Sequence, residues 1–159
     1  MKIVVTSDTH NQNLPQKLIS ECESADLIIH AGDWSSMEVY RTLSSCAKVV
    51  GVHGNVDDNE IKEYLAPRDI IQIEGYKIGI VHGHGSKQMT EKRALEAFEG
   101  EGMDIIIFGH SHIPMMRYVN KVMLMNPGSP TDKRRMPYYS YGILHIDKTL
   151  RAEIVFFTG

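Results

Sequence analysis

Asp8 and His10, one residue apart in SDTH, offer a carboxylate and an imidazole side by side. Delivered together, the two can bind a divalent metal ion. One such pair is weak evidence, since a helix-capping Asp beside a surface His is ordinary. The same grammar recurs, however. LIIHAGD ends an apolar run at Asp33, VVGVHGN at Asn55, IGIVHGH at His82 and His84, and IIIFGHSH at His110 and His112. Each is a short apolar run, a turn containing glycine, and then an oxygen or nitrogen ligand. Asp8, His10, Asp33, Asn55, His82, His110 and His112 are too many for one ion and suit two ions sharing a carboxylate. Asp33 is the natural bridge, because a carboxylate has two oxygens to give. Two ions about 3.5–4 Å apart can activate a water and clamp the oxygens of an in-line phosphoryl transfer. No thiolate belongs to the set, which argues against structural zinc and for manganese, iron, nickel or zinc in a catalytic role.

The elements that must carry these residues follow from the spacing of apolar positions. Ile3, Val4 and Val5 read as a central strand buried on both faces. In open α/β sheets, ligands bind at the carboxyl ends of such strands. Extended backbone there would point Asp8 and His10 to the same side. Helices are expected over 14–22, 35–43 (capped by Ser35 or Ser36) and 59–65, between strands over 27–30 and 48–53. That alternation predicts a parallel sheet with right-handed crossovers. A hairpin turning at Gly75 and Tyr76 follows, then a helix over 90–102 capped by Thr90 and a strand over 104–108. The last strands, over 116–119, 122–125, 139–146 and 152–156, have no helices between them and suggest a second, mostly antiparallel sheet. The expected fold is α/β, a four-layer sandwich of two packed mixed β-sheets flanked by helices, in a single domain over 1–159 without repeat, linker or low-complexity stretch.

The composition is that of a soluble globular chain, 42% hydrophobic and 23% charged. A net charge of −3 gives no bulk case for binding nucleic acid or an anionic membrane. No apolar run approaches the ~20 residues of a membrane span, and no apolar leader precedes the first strand. Cys22 and Cys46 lack CxxC spacing and read as reduced, half-buried thiols, which points to the cytoplasm.

Taken in order, SDTH, GD, GN-x-D, HGH, GHSH and the NPGS of NPGSPTDKRR resemble the calcineurin-like metallophosphoesterases over nearly the whole chain. The similarity is greatest to the small single-domain phosphodiesterases of bacteria and archaea. It implies one metal on Asp8, His10, Asp33 and His112 and another on Asp33, Asn55, His82 and His110. It also implies a phosphodiesterase that hydrolyses small phosphate esters with a hydroxide held by the two ions. Manganese is the first expectation, and Asp33, Asn55 and His84 are the residues nearest the chemistry. Many members carry a His directly after the metal-binding Asn, where this chain has Val56. His53, His84, Asp57 and Asp58 remain as proton donors or phosphate contacts. A retromer subunit with this fold serves mainly as a binding surface, so a non-catalytic scaffold is the alternative. In that subunit the position matching His10 is Asn, whereas His10 is present here. The expected partner is a small phosphate-ester substrate, with no membrane; a homo-oligomer is left open.

Several residues have a plainer reading. His30 and His145 suit structural roles within strands, and Asp57 suits a helix cap or a support for Asn55. His84 divides evenly between a substrate contact and a solvated turn. Lys133, Arg134 and Arg135 suit a solvated loop, against a clamp on an anionic substrate. Met115, Met116, Met123 and Met125 suit strand packing, and Tyr138, Tyr139 and Tyr141 suit packing between the sheets.

Overall fold

A computed structural model describes all residues, Met1–Gly159. Ten strands and four helices run in the order β1 (Lys2–Thr6), α1 (Gln16–Glu23), β2 (Leu27–His30), α2 (Met37–Ser44), β3 (Lys48–Gly51), α3 (Asn59–Tyr64), β4 (Arg68–Ile73), β5 (Tyr76–Val81), α4 (Thr90–Ala97), β6 (Ile105–Ile107), β7 (Met115–Val119), β8 (Val122–Asn126), β9 (Tyr139–Ile146) and β10 (Leu150–Phe157). They form two five-stranded sheets, ordered β10-β9-β1-β2-β3 and β4-β5-β6-β8-β7.

Alternation along each strand assigns the layers. Ile3 and Val5 of β1 face the other sheet and pack with Ile29, Ile78, Ile80, Ile105, Ile107, Met125 and Leu144. Val4, between them, faces outward and packs with Leu18 and Cys22 of α1, Leu43 of α2 and Ile61 of α3. On the far side, Ile106 and Leu124 pack against Ala94 of α4 and Phe98 just past it. The layers are thus helices, sheet, sheet, helix. Each fully buried aliphatic side chain contributes about 1.5–3 kcal/mol.

Two expectations change. Both sheets are mixed as expected, but the second is not mostly antiparallel: β5, β6 and β8 run parallel, and only β4 and β7 pair antiparallel, at its edges. The last hairpin joins the first sheet instead, with β9 antiparallel to β1 in the register Ile3↔Leu144 and Val5↔Gly142. β9 is nearly all buried, and a run buried on both faces needs a helix layer on one side and a sheet on the other. Its burial also pairs the free edge of β1. Tyr141 therefore packs on the helix side of the first sheet, not between the sheets, with Tyr139 beside it and Tyr138 exposed. Met123 and Met125 are core as expected, while Met116 is exposed.

For the site, the consequence is directional. β1, β2 and β3 are parallel, as are β5 and β6. The loops leaving their carboxyl ends carry Asp8, Asp33, Asn55, His82 and His110. No helix is long and apolar enough to cross a membrane.

Candidate metal centre

The candidate ligands assemble in two groups. Ligand atoms of Asp8, His10 and His112 lie within 4.8 Å of one another, and so do those of Asp33, His82 and His110. His82 joins the groups, its Nε2 lying 3.1 Å from Asp33 Oδ2 and 3.8 Å from Asp8 Oδ1. Asn55 is exposed, but its loop reaches the site: the Val56 N–H donates to Asp33 Oδ1 at 3.0 Å. His84 is exposed at the rim, with its ring 5.6 Å from His82 and 6.4 Å from His110.

Five of these residues adopt the left-handed backbone that is uncommon outside glycine, though Asn, Asp and His take it more readily than other side chains. Their φ values are 55° at Asp8, 48° at His10, 61° at Asp33, 71° at His110 and 59° at His112. β1 stops at Thr6, so Asp8 and His10 converge by tight turns and not by the extended backbone expected. Such residues cost about 1–3 kcal/mol each and persist only where the surroundings hold them. Here the surroundings do. Asp8 N–H donates to Gly32 O and His10 N–H to Asp33 O, both at 2.9 Å. His110 N–H donates to Asp8 Oδ2 at 3.0 Å. From the NPGS turn, Ser129 Oγ donates to Asp8 O at 2.9 Å and Thr131 Oγ1 to Thr9 O at 2.8 Å.

Carbonyls set the imidazole tautomers, and this decides what the site can hold. His82 Nδ1–H donates to Ala31 O at 2.8 Å, and His112 Nδ1–H to Asp132 O at 2.7 Å. In the neutral rings both Nε2 atoms then carry lone pairs turned toward carboxylate oxygens. His112 Nε2 sits 3.5 Å from Asp8 Oδ1 and 3.3 Å from His10 Nε2. Asp8 Oδ1 and His82 Nε2 are buried without a hydrogen-bond partner. Acceptors facing acceptors in a dry site repel, and a cation among them relieves all of them at once. The residues therefore fit a divalent metal.

Without a metal the groups hold protons unequally: Asp8 and His82 favour them, while Asp33, His110 and His112 do not. Burial pushes Asp8 up to about 7, against a lowering by His82. Burial would raise Asp33 as well, but in the metal-free site a protonated His82, by its hydrogen bond and charge, outweighs this and holds Asp33 at about 2. Burial lowers His82 too, yet the Asp33 and Asp8 carboxylates reverse this and raise it. His110 is lowered to about 4 and His112 is lowered, in both cases first by burial. His110 and His112, held neutral, are ready to ligate, whereas His82 must first give up a proton to the solvent.

Of the two roles expected for Asp57 the structure shows the second, and Asn126 adds a support that the sequence did not mark. Asp57 caps no helix; Asp58 does, accepting from Ile61 N–H at 3.0 Å. Asp57 is buried and accepts from the N–H groups of Asp33 (3.1 Å), Ser35 (2.7 Å) and Gly54 (2.7 Å), binding the Asp33 loop to the Asn55 loop. The GN-x-D spacing was its only signal. Asn126 of NPGS donates to Gly109 O at 3.0 Å and Ser111 Oγ at 3.1 Å, steadying the GHSH loop. Thr90 is the first residue of α4, not its cap, which is Met89. His30 is a core residue as expected. It is fully buried, accepts from Gly32 N–H at 3.1 Å, bonds Thr9 Oγ1 at 2.9 Å and stacks on Trp34.

Comparison with known proteins agrees with this geometry. A protein of Methanocaldococcus jannaschii named as a probable metallophosphoesterase is 36% identical, over 98% of this chain and 81% of its own. A second from the same organism, named as a phosphodiesterase, is 30% identical over 80% of this chain and 83% of its own. Among solved structures, zinc-complexed Vps29 of Entamoeba histolytica superposes with a TM-score of 0.75 over 99% of this chain and 100% of its own, at 24% identity, which is a likeness of fold. Residues 1–149 match the family model described as the calcineurin-like phosphoesterase superfamily domain. The chain belongs to the calcineurin-like phosphoesterase superfamily.

Proposed function

We propose that the chain is a phosphodiesterase working with two divalent ions, manganese first among them. One would be held by Asp8, His10, Asp33 and His112, the other by Asp33, Asn55, His82 and His110. The observation that carries this is the convergence of unpartnered buried acceptors, Asp8 Oδ1 and His82 Nε2, on one point between two carboxylates. When bound, such ions supply an activated water and offset charge on the transferred phosphoryl group. The chain supplies the rest. Asp33 stays anionic across the working range and is held in place by Val56 N–H. Ala31 and Asp132 keep two imidazoles in the ligating tautomer. His84, exposed at the rim, would meet a substrate phosphate. The Val56 side chain, 53% exposed, can give no proton to a departing oxygen. Aryl diesters, whose leaving groups are stable as anions, should therefore turn over much faster than alkyl ones. The relative named as a phosphodiesterase supports the reaction class. Two free thiols suit a cytoplasmic setting.

The test is metal content and turnover of bis(p-nitrophenyl) phosphate after loading with manganese. Two ions per chain and steady hydrolysis are expected, both lost on chelation. Hydrolysis that persists with one ion or none would end the two-ion reading. Installing a general acid by Val56→His should speed poor leaving groups most, since such groups contribute about 100–10,000-fold. The Vps29 match favours a second reading, a binding scaffold on the same fold. Bound metal without turnover of any phosphate ester would select it.

A further inference from the structure

Beside the metal centre lies a cleft of about 240 Å³ lined by Ser111, His112, Ile113, Lys133, Arg134, Arg135 and Met136. His112 is both a wall of this cleft and a candidate ligand, so a molecule reacting at the metals can extend into it. No carboxylate lines it. Three cations in a row stand out in a chain whose net charge is −3.

The basic segment is built, not merely solvated. Met136 N–H donates to Lys133 O at 2.9 Å and closes a turn. Arg134 takes a left-handed φ of 48° inside it, and its N–H donates to Asp132 Oδ1 at 3.2 Å. Asp132 O is the acceptor that orients His112, and Asp132 N–H donates to Ser129 Oγ at 2.9 Å. Ser129 Oγ in turn donates to Asp8 O. The position of the cations is thereby tied to two metal-binding residues. Their charges are mostly unspent. Arg135 has no ion-pair partner within the chain, Arg134 Nε reaches Asp132 Oδ2 only at 4.0 Å, and Lys133 Nζ lies over the Tyr139 ring at 5.7 Å. Ile113 and Met136 add apolar surface to the cleft.

We propose that this cleft is a second-anion subsite, which receives a phosphate carried on the non-reacting arm of the substrate. The substrate class is then a phosphodiester bearing a further phosphate, with an apolar or planar unit between the two. Guanidinium pairs grip a phosphate dianion through several charge-assisted hydrogen bonds. A lone carboxylate or a neutral arm would leave two of the three cations unmatched. This rests on the phosphodiesterase reading for what happens at the metals, but the anion subsite can be measured apart from it.

The measurement is calorimetric binding of thymidine 3′,5′-bisphosphate and thymidine 5′-monophosphate to the full chain at low salt, with and without manganese. The bisphosphate should bind about tenfold more tightly than the monophosphate. In the Arg134→Gln/Arg135→Gln double variant the ratio should fall to near one, and in Arg134→Lys/Arg135→Lys most of it should return. Equal affinities in the unaltered protein would overturn the proposal, as would a preference that survives the double Gln change. Turnover is followed separately, with thymidine 5′-(p-nitrophenyl phosphate) and its 3′-phosphorylated form. No turnover of either would refute the phosphodiesterase reading, while the binding ratio still judges the cleft.

Discussion

The Asp8 group and the Asp33 group share one motif grammar and differ in electrostatics. Both carboxylates are buried at strand ends in left-handed backbone. Asp8 accepts from Ser7 Oγ at 2.9 Å and His110 N–H at 3.0 Å, yet burial still drives it up to about 7. Asp33 has His82 at 3.1 Å and Val56 N–H at 3.0 Å, and these overcome burial and hold it at about 2. At neutral pH the protein makes Asp33 an anion by itself, whereas it needs a cation to keep Asp8 as one. Placing a carboxylate near imidazoles is therefore not enough to fix its charge; the balance between its burial and the hydrogen bond and charge of His82 decides it.

The largest effect tests whether the groups are coupled. If Asp33 is shared, Asp33→Asn should lose both ions and cut turnover by more than the ~10–100-fold typical of removing an outer support, while Asp8→Asn should lose one ion. Metal analysis of the two variants decides it, and equal losses would break the distinction. Next come the glycines that abut each carboxylate. A Cβ on Gly54 would collide with Asp33 Oδ1, and one on Gly109 with Ser7 Oγ and Asp8 Oδ2. Gly54→Ala should mirror the Asp33 variant in metal content, and Gly109→Ala the Asp8 variant.

A smaller effect concerns the support that only the Asp33 group has. Asp57→Ala strands the buried N–H groups of Asp33 and Gly54, and should cost about 2–5 kcal/mol in a denaturant melt. Metal affinity should fall first at the Asp33 group. A change under about 0.5 kcal/mol would show that Asp57 holds nothing.

The smallest effect is in pH, read on metal-free protein. Asp8 has a raised folded pKa, so its stability contribution is full below the ordinary carboxylate value of 3.8 and is lost as pH rises through about 7. Stability should therefore fall by about 2.5 kcal/mol between pH 5 and pH 8 on its account, and Asp8→Asn should remove that slope. Asp33 has a depressed pKa, so its contribution is present above 3.8 and lost only as pH falls through about 2. Asp33→Asn should leave the slope between pH 5 and 8 in place. Manganese should reverse the Asp8 slope, because the ion binds the ionised form.

Much of this molecule was legible in its residues. Apolar runs such as LIIH and IGIV with glycine turns after them marked the strands and what each strand end presents, since strand burial and turn flexibility are local properties of side chain and backbone. The seven candidate ligands could be named because their types and spacing are set by short-range chemistry. Their division into two groups followed only from the family resemblance, and which sheet takes the last hairpin depended on contacts between residues distant in the chain. Gly142 pairs with Val5, and Ser129 with Asp8, across more than a hundred residues. The tautomers of His82 and His112 rest on the backbone carbonyls of Ala31 and Asp132, which every residue type possesses and which therefore leave no mark in a sequence. The residue types alone determined which atoms could bind metal. Only the tertiary structure decided the charge and direction of those atoms, because burial and hydrogen-bond donors come from whatever the folded chain packs against them.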